Sequence, residues 1–311
     1  MATLRPVTIY LLRVITSFRN RVHYLRGLWS LLAVVIILML LALSILLPRN
    51  NIVTVEADTE IVSYKLVNTE LSIFDVQGAD LYSDPFSSEP TEHINQAGSY
   101  IRLTENTNVE IRKRENDEVV YITLSTKSLS VGSIYLPNGS ISLGPWANLS
   151  IDLTLAPVPR LLPFRGKLTL GEDVAPGIEN ILLSGSVSIA EQQLGMFSRE
   201  RYLLLESKLE KGDRVLVRSA TKDEGAVSDG FVRVTYGETL SVVAHTSDGE
   251  VHVIRFGSAG YRISPSVWAR VINDPSLSWV TALLGILLLS VELVLAITQI
   301  ASRAVDHEGR N

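Results

Sequence analysis

The sequence predicts a membrane-anchored, mainly β protein in which two transmembrane α-helices flank a large extracytoplasmic domain of the sandwich or barrel type. Two observations support this fold class. Residues 28–47 form an apolar run without a charge, and a second apolar run covers residues 277–301. Between these runs, residues 49–276 contain many short stretches of alternating apolar and polar side chains, a pattern typical of half-buried strands.

The first 27 residues contain no acidic residue but five arginines, Arg5, Arg13, Arg19, Arg21 and Arg26. Apolar residues recur among them at helical spacing, which predicts a short amphipathic helix lying on the membrane surface. The alternative is a solvated basic tail that only directs topology. Because short basic segments stay on the cytoplasmic side, both termini are expected in the cytoplasm and residues 49–276 outside it.

The length of each apolar run predicts a membrane span. An α-helix rises about 1.5 Å per residue, so both runs reach across the roughly 30 Å hydrocarbon core of a bilayer. Residues 28–48 and 277–301 are therefore predicted to be transmembrane helices, and residues 302–311 a cytoplasmic tail. A cleaved signal peptide is the alternative for the first run, but its basic and apolar regions are both too long. The absence of cysteine favours the bacterial inner membrane as the location.

The outer region is predicted to consist of two β subdomains, residues 49–155 and 167–276. In the first, two short strands around Pro137, Asn138 and Gly139 predict a hairpin, because Asn-Gly is typical of tight turns. Residues 148–155 read NLSIDLTL and predict a strand with one apolar face. Three prolines within residues 156–166 predict a linker, since proline cannot donate to a β ladder. Part of residues 190–209 is predicted to be helical.

Composition limits the function classes. The outer region holds 21 Lys and Arg against 30 Asp and Glu, a net charge of −9, which disfavours nucleic acid as a partner. Without cysteine there is no thiol catalysis and no disulfide. The sequence contains neither a glycine-rich phosphate loop nor a motif that places a nucleophile beside its base. The chain is therefore predicted not to be an enzyme and to need no cofactor.

One histidine pair is a candidate metal site. If Asp248 and Gly249 form a two-residue turn, His245 lies opposite His252, with Cβ atoms about 4.5–5.5 Å apart. Together with Glu250, the two imidazoles would offer three ligands to zinc, or would form a pH-sensitive pair. A stable zinc site usually has four ligands, so a solvated pair is the expected reading and no metal site is assigned.

The second apolar run contains one acid, Glu292. Within a bilayer, a carboxyl group is expected to face another helix, where small residues allow close approach. The alternatives are a neutral acid without a role and an ion pathway. The predicted packing face has a spacing of three or four residues and comprises Ser278, Ala282, Gly285, Leu289, Glu292, Ala296 and Gln299.

These features together predict a scaffold or accessory subunit of a membrane complex that presents an acidic β domain outside the membrane. Its expected partners are the lipid bilayer and another membrane protein or a second copy of the chain. The first alternative is an envelope sensor or ligand-binding module that signals through its spans. A further alternative is an oligomeric channel or a membrane-perturbing effector.

Overall fold

The computed structural model describes residues 50–154, 159–172, 181–192, 201–219, 225–247, 249–255 and 260–274, together with residues 35 and 39 and scattered positions from 282 to 297. The described strands and the one named helix are β1 Asn51–Thr59, β2 Ile61–Leu66, β3 Ile73–Asp75, β4 Ala79–Tyr82, β5 Glu92–Ile94, β6 Tyr100–Leu103, β7 Asn108–Arg112, β8 Val119–Ser125, β9 Gly132–Leu136, β10 Gly139–Leu143, β11 Trp146–Asp152, β12 Arg160–Leu170, β13 Leu182–Gln192, β14 Arg201–Leu209, β15 Arg214–Ser219, β16 Val227–Val234, β17 Leu240–Ser247, β18 Gly249–Ile254, β19 Tyr261–Ile263 and α1 Val267–Asn273.

Most described strands belong to one large antiparallel sheet. In the described part of the chain this sheet has fifteen strands. Twelve of them are neighbours in the order β14-β13-β1-β17-β16-β12-β2-β7-β8-β11-β4-β5. The other three form a branch, in which β15 pairs with β12 and β18, and β18 also pairs with β19. A second sheet contains β10, β9, β6 and β3 in that order. All of these strands lie in one compact unit, residues 49–192 and 201–266, and α1 belongs to a second unit.

Alternating side chains produce the core of the large sheet. In β1, Val53, Val55 and Ala57 are buried, whereas the residues between them are partly or fully exposed. Strand β11 alternates in the same way, with Leu149 and Ile151 buried. Successive side chains of a strand point to opposite faces, so this pattern gives each strand one apolar and one polar side.

Strand β12 joins the strands of the two predicted subdomains. It pairs with β16 over residues 160–167 and with β2 over residues 166–170, and β1 pairs with β13 and β17. Residues 160–166, which were expected to belong to a linker, therefore lie in a strand. Pro163 is tolerated because β12 pairs with β2 only from Gly166 onward, so at Pro163 one edge of the strand needs no N–H donor.

The predicted hairpin is confirmed, with a different turn. Strands β9 and β10 pair with Leu136 opposite Gly139, so the two turn residues are Pro137 and Asn138. Proline fixes φ near −65°, which suits the first corner of a common turn. The helix predicted within residues 190–209 is wrong for its described part, because β13 extends to Gln192 and β14 begins at Arg201.

The membrane-spanning part of the predicted fold class is contradicted. Among the residues that the structure describes, no helix has the length and the apolar character needed to cross a membrane. The seven residues of α1 would cover only about 10 Å at the α-helical rise. Most of residues 28–48 and 277–301 lies outside the described residues. We therefore correct the prediction of two transmembrane helices, and the inner-membrane location that depends on it, to a mainly β chain with two sheets.

An ion pair connects the turn between β14 and β15 to the end of β18. Arg255 donates from Nε and Nη2 to the two carboxylate oxygens of Asp213, at 2.9 and 3.0 Å. The Asp213 side chain is only 1% exposed. Burial alone would raise the pKa of Asp213, but hydrogen bonds from Arg255 and from the backbone N–H of Glu210 hold it below its ordinary value.

The lowered pKa of Asp213 predicts a pH-dependent loss of stability. The ionised carboxylate stabilises the fold above its unfolded pKa of about 3.9, and this contribution disappears as the pH falls through the folded value. Arg255→Met should lower the free energy of unfolding at pH 7. Below about pH 4, the free energies of unfolding of the variant and the wild type should become more similar. Urea unfolding at a series of pH values measures this difference.

Arg165→Met is the matched control, because Arg165 forms an ion pair with Asp229 at 3.3 Å and the two side chains are 46% and 53% exposed. Exposed ion pairs contribute at most about 1 kcal/mol, so this variant should stay close to wild type. A destabilisation by Arg255→Met that is the same at pH 3 as at pH 7 would contradict the assignment to Asp213.

Candidate ligand-binding face

One side of the large sheet carries a continuous set of polar side chains, which we call the polar face. Directly opposed residues of antiparallel strands lie on the same side of a sheet, with Cβ atoms about 4.5–5.5 Å apart. The pairing of β12, β2, β7, β8, β11 and β4 therefore aligns two rows. They consist of Thr169, Ser63, Glu110, Thr123, Asn148 and Tyr82, and of Lys167, Lys65, Asn108, Ser125 and Trp146.

The polar face contains a groove of about 350 Å³. It crosses four strands, and its polar lining consists of Ser63, Lys65, Asn108, Glu110, Thr123, Ser125, Lys167 and Thr169. Successive side chains of β2 point to opposite faces of the sheet. Tyr64 points into the core, while Ser63 and Lys65 point outward and line the groove. The ring of Tyr64 stacks on Phe164 of β12 at 4.6 Å between centroids, so the floor of the groove is a packed core.

Most hydrogen-bonding groups in the groove are available to a ligand. Within the described ranges, the side chains of Ser63, Asn108, Thr123, Ser125 and Thr169 form no hydrogen bond with the protein. Each hydroxyl group can donate one hydrogen bond and accept others, and the amide of Asn108 can do both. The groove therefore presents donors and acceptors in a regular array rather than one strongly charged point.

Asn148 adds a buried acceptor beside the groove. Its Oδ1 atom is buried and has no hydrogen-bond partner in the described structure. Asn148 lies opposite Thr123 on one side and opposite Tyr82 on the other. A buried polar atom without a partner costs roughly 1–3 kcal/mol, and a ligand donor would remove that cost only if the amide turned toward the groove.

Aromatic side chains border the polar rows. Trp146 lies opposite Ser125, and Tyr121, which is 45% exposed, lies on the same face two rows away, beyond the row of Thr123. Aromatic rings combine a large apolar surface with little conformational freedom, so they are effective at binding the apolar faces of ligands. The polar face thus combines hydroxyl and amide groups with the exposed ring of Tyr121 and the partly exposed ring of Trp146.

A second cavity, of about 430 Å³, lies near the turn between β16 and β17. Its polar groups already bind one another, since Arg233 pairs with Glu238 at 3.1 Å and Ser184 donates to Asp58 at 3.4 Å. Beside it, the buried Lys113 donates from Nζ to the carbonyl oxygens of Glu238 and Arg114. Burial lowers the pKa of Lys113, against the opposing effect of nearby carboxylates. We interpret this region as structural.

The structure separates the residues of the predicted histidine site. Strand β17 pairs with β1 and β16, whereas β18 pairs with β15 and β19. The Nδ1 atom of His245 is therefore 2.9 Å from Thr54 Oγ1, while His252 lies opposite Leu216. Glu250 forms an ion pair with Arg262 at 3.1 Å and lies 4.0 Å from His252. The hairpin prediction that brought the two histidines together is wrong.

The other predicted site residues are described only in part. The five arginines of residues 1–27, together with Ser278 and Gln299, lie outside the described residues. Five members of the predicted packing face occupy helical positions: Ala282, Gly285, Leu289, Glu292 and Ala296. Leu289 is 66% exposed, and a Cβ atom added to Gly285 would meet no described atom within 4 Å.

On the polar face, Ser150, Asp80 and His93 lie opposite one another on β11, β4 and β5. His93 Nδ1 is 2.6 Å from Asp80 Oδ1. However, Asp80 lies between the serine and the histidine, whereas a hydrolytic triad needs the imidazole beside the hydroxyl group. The arrangement does not activate Ser150.

Comparison of the chain with protein-family models, with curated proteins and with solved structures found no match. The geometry of the polar face is therefore the basis for a functional assignment. Sequence reasoning did not identify its residues as a site. Their alternation along each strand was visible, but the order in which the strands pair was not.

Proposed function

We propose that the chain is a non-enzymatic binding protein whose polar face holds an extended, hydroxyl-rich ligand, namely a sugar chain. The observation that carries this proposal is the groove of about 350 Å³ lined by hydroxyl and amide groups without protein partners. A sugar chain offers many hydroxyl groups, which need such donors and acceptors, and apolar ring faces, which suit Trp146 and Tyr121.

Two further features support a ligand on the face of the sheet. Neighbouring strands lie about 4.8 Å apart, so the rows provide one polar side chain per strand along the whole face. The partly exposed side chain of Asn148 also lies in one of these rows and adds an amide group beside the groove. The position of Asp80 between Ser150 and His93 supports binding without catalysis.

Binding by the full-length chain to neutral and acidic oligosaccharides tests the proposal. The probes are maltohexaose, cellohexaose, chitohexaose and hexagalacturonate, first immobilised on an array and then used in calorimetry. We expect binding to at least one of these chains. Asn148→Ala and Thr123→Val should each weaken it about fivefold, the equivalent of one neutral hydrogen bond.

Ser142→Ala is the matched control, because Ser142 is an exposed residue of β10 in the second sheet. It should leave affinity unchanged. Asn148→Ala should not lower the melting temperature, since its Oδ1 atom has no partner to lose. Absence of binding to every probe, or equal affinity of the wild type and both polar-face variants, would contradict the proposal.

A second candidate function is a scaffold that binds another protein. It is favoured by the second sheet, where Tyr100 and Tyr135 stack at 5.1 Å between ring centroids and are 40% and 37% exposed. Tyrosine is enriched at protein interfaces. Variants of the polar face would leave such an interaction unchanged, which distinguishes the two candidates.

A further inference from the structure

Strand β10 forms one edge of the second sheet. It pairs with β9 on one side, and no described strand pairs with its other side. Leu136 and Gly139 flank the two-residue turn and form a hydrogen-bonded pair, and such pairs alternate with non-hydrogen-bonded pairs along the hairpin. The main-chain groups of Ile141 therefore bond to β9. Those of Ser140 and Ser142, both exposed residues, point away from it and are open to a further strand.

The strands at the other ends of the two sheets carry features that prevent pairing with a second chain. Charged side chains, irregular register and short length all protect a sheet edge. Strand β14 contains Arg201, Glu206 and Lys208, and its register with β13 is irregular. Strands β5 and β3 have only three residues each and contain Glu92 and Asp75. Strand β10 has five residues without a charge or a proline, and its register with β9 is regular.

We infer that β10 pairs with β10 of a second copy of the chain, antiparallel and around a twofold axis at Ile141. In this register Ser140 of one copy lies opposite Ser142 of the other. Their main-chain groups point outward, so each of these two pairs exchanges two N–H···O bonds. The sequence Ser-Ile-Ser also reads the same in both directions, as the identical surfaces of a twofold interface require.

The side chains of β10 fit the same register. The partly exposed Ile141 would face Ile141 of the second copy in a non-hydrogen-bonded pair, where side chains come closest. Leu143 would lie opposite Gly139 of the second copy, and a Cβ atom added to Gly139 would meet nothing within 4 Å. Because β10 contains no charged residue, the twofold axis brings no like charges of this strand together.

An extended segment of a different protein is the alternative occupant of this edge. Strand addition of that kind gains its specificity from pockets for alternate side chains of the added segment. On the outer face of β10 the side chains are those of Ser140 and Ser142, which form no such pocket. Pairing of two copies needs no pocket, because the twofold axis fixes the register. The inference goes beyond the proposed function, since β10 lies in the second sheet.

Sedimentation equilibrium of the full-length chain tests the inference. The contact is small, so we expect a weak dimer whose share rises with protein concentration. Ser142→Pro removes the outward N–H group and leaves the bonds to β9, because proline is tolerated where the N–H of an edge strand faces solvent. It should weaken dimerisation about tenfold, since two hydrogen bonds per dimer are lost. Ser142→Ala is the matched control, which keeps the N–H group and should dimerise like the wild type.

A cysteine at the twofold axis tests the register. The chain contains no cysteine of its own. In Ile141→Cys, the two thiols of a dimer would face each other across a non-hydrogen-bonded pair, whose Cα separation of about 4.5 Å allows a disulfide. Oxidised glutathione should therefore produce a covalent dimer on a non-reducing gel. Ser133→Cys is the matched control and should stay monomeric, because Ser133 lies in β9, which has a strand on each side.

A wild-type chain that is monomeric at every concentration would overturn the inference, as would a dimer that Ser142→Pro leaves unchanged. A covalent dimer that forms as readily in Ser133→Cys as in Ile141→Cys would overturn the pairing through β10. The melting temperature of each variant establishes that it folds. If Ser142→Pro does not fold, the comparison of the two cysteine variants decides between the outcomes.

Discussion

Phe164→Ala is expected to lower the free energy of unfolding by about 4 kcal/mol, which is typical of truncating a fully buried phenylalanine. The side chain of Phe164 is 0% exposed and stacks on Tyr64, so its removal leaves a cavity beneath the groove. Small domains have a total stability of roughly 5–15 kcal/mol, and the loss is a large part of it. Urea unfolding followed by circular dichroism measures the change.

Phe86→Ala is the matched control, because it makes the same substitution at a side chain that is 94% exposed. Surface substitutions of this kind usually stay within about 0.5 kcal/mol of wild type. A change of less than 1 kcal/mol for Phe164→Ala would show that β12 and β2 do not share the packed core described above.

Gly230→Ala is expected to destabilise the chain by roughly 3 kcal/mol or more, at the upper end of the range for overpacking. In β16, a Cβ atom on Gly230 would lie 2.3 Å from the carbonyl oxygen of Val243 and 2.9 Å from the Cα atom of Ala244. Both are backbone atoms of β17, so a strand has to move to accommodate the methyl group. Thermal unfolding of Gly230→Ala and of the wild type measures the loss of stability.

Gly139→Ala is the matched control for this substitution. Gly139 lies in β10, and a Cβ atom added there would meet nothing within 4 Å. The variant should be neutral or more stable by up to about 1 kcal/mol, because alanine reduces the freedom of the unfolded chain. Equal melting temperatures of Gly230→Ala and wild type would contradict the close approach of β16 and β17.

Features that depend on neighbouring residues could be predicted from the sequence. The alternation around Leu149 and Ile151 predicted a strand with one buried face, and β11 has that pattern. The β9–β10 hairpin was also predictable, because its two strands are adjacent in the chain. Only its turn differed, since the preference of Pro137 for a turn corner outweighed the Asn-Gly signal.

Features that depend on distant pairing could not be predicted. His245 and His252 are seven positions apart, yet their strands pair with different partners, so the short connection is not a hairpin. Between residues 190 and 209, leucine and glutamate favour a helix locally. Pairing of Ala190 with Leu203 and of Ile189 with Leu205 instead places these residues in a sheet, where tertiary context overrides propensity.

The same limit applies to the candidate site. Lys65 and Lys167 are far apart in the sequence, and they meet only because β12 pairs with β2. The prediction of transmembrane helices failed for another reason, because it rested on the length of apolar runs alone. A span requires a continuous helix of about 20 residues, and the described residues contain none that meets this requirement.

Residue-resolved NMR of the isotope-labelled full-length chain, titrated with hexagalacturonate, tests the central claim most directly. We expect the largest backbone amide shifts in β2, β7, β8 and the adjoining part of β12, with maxima near Lys65, Glu110 and Thr123. Shifts centred on Tyr100 and Tyr135 of the second sheet, or the absence of shifts at saturating probe, would contradict the assignment of the polar face as the binding site.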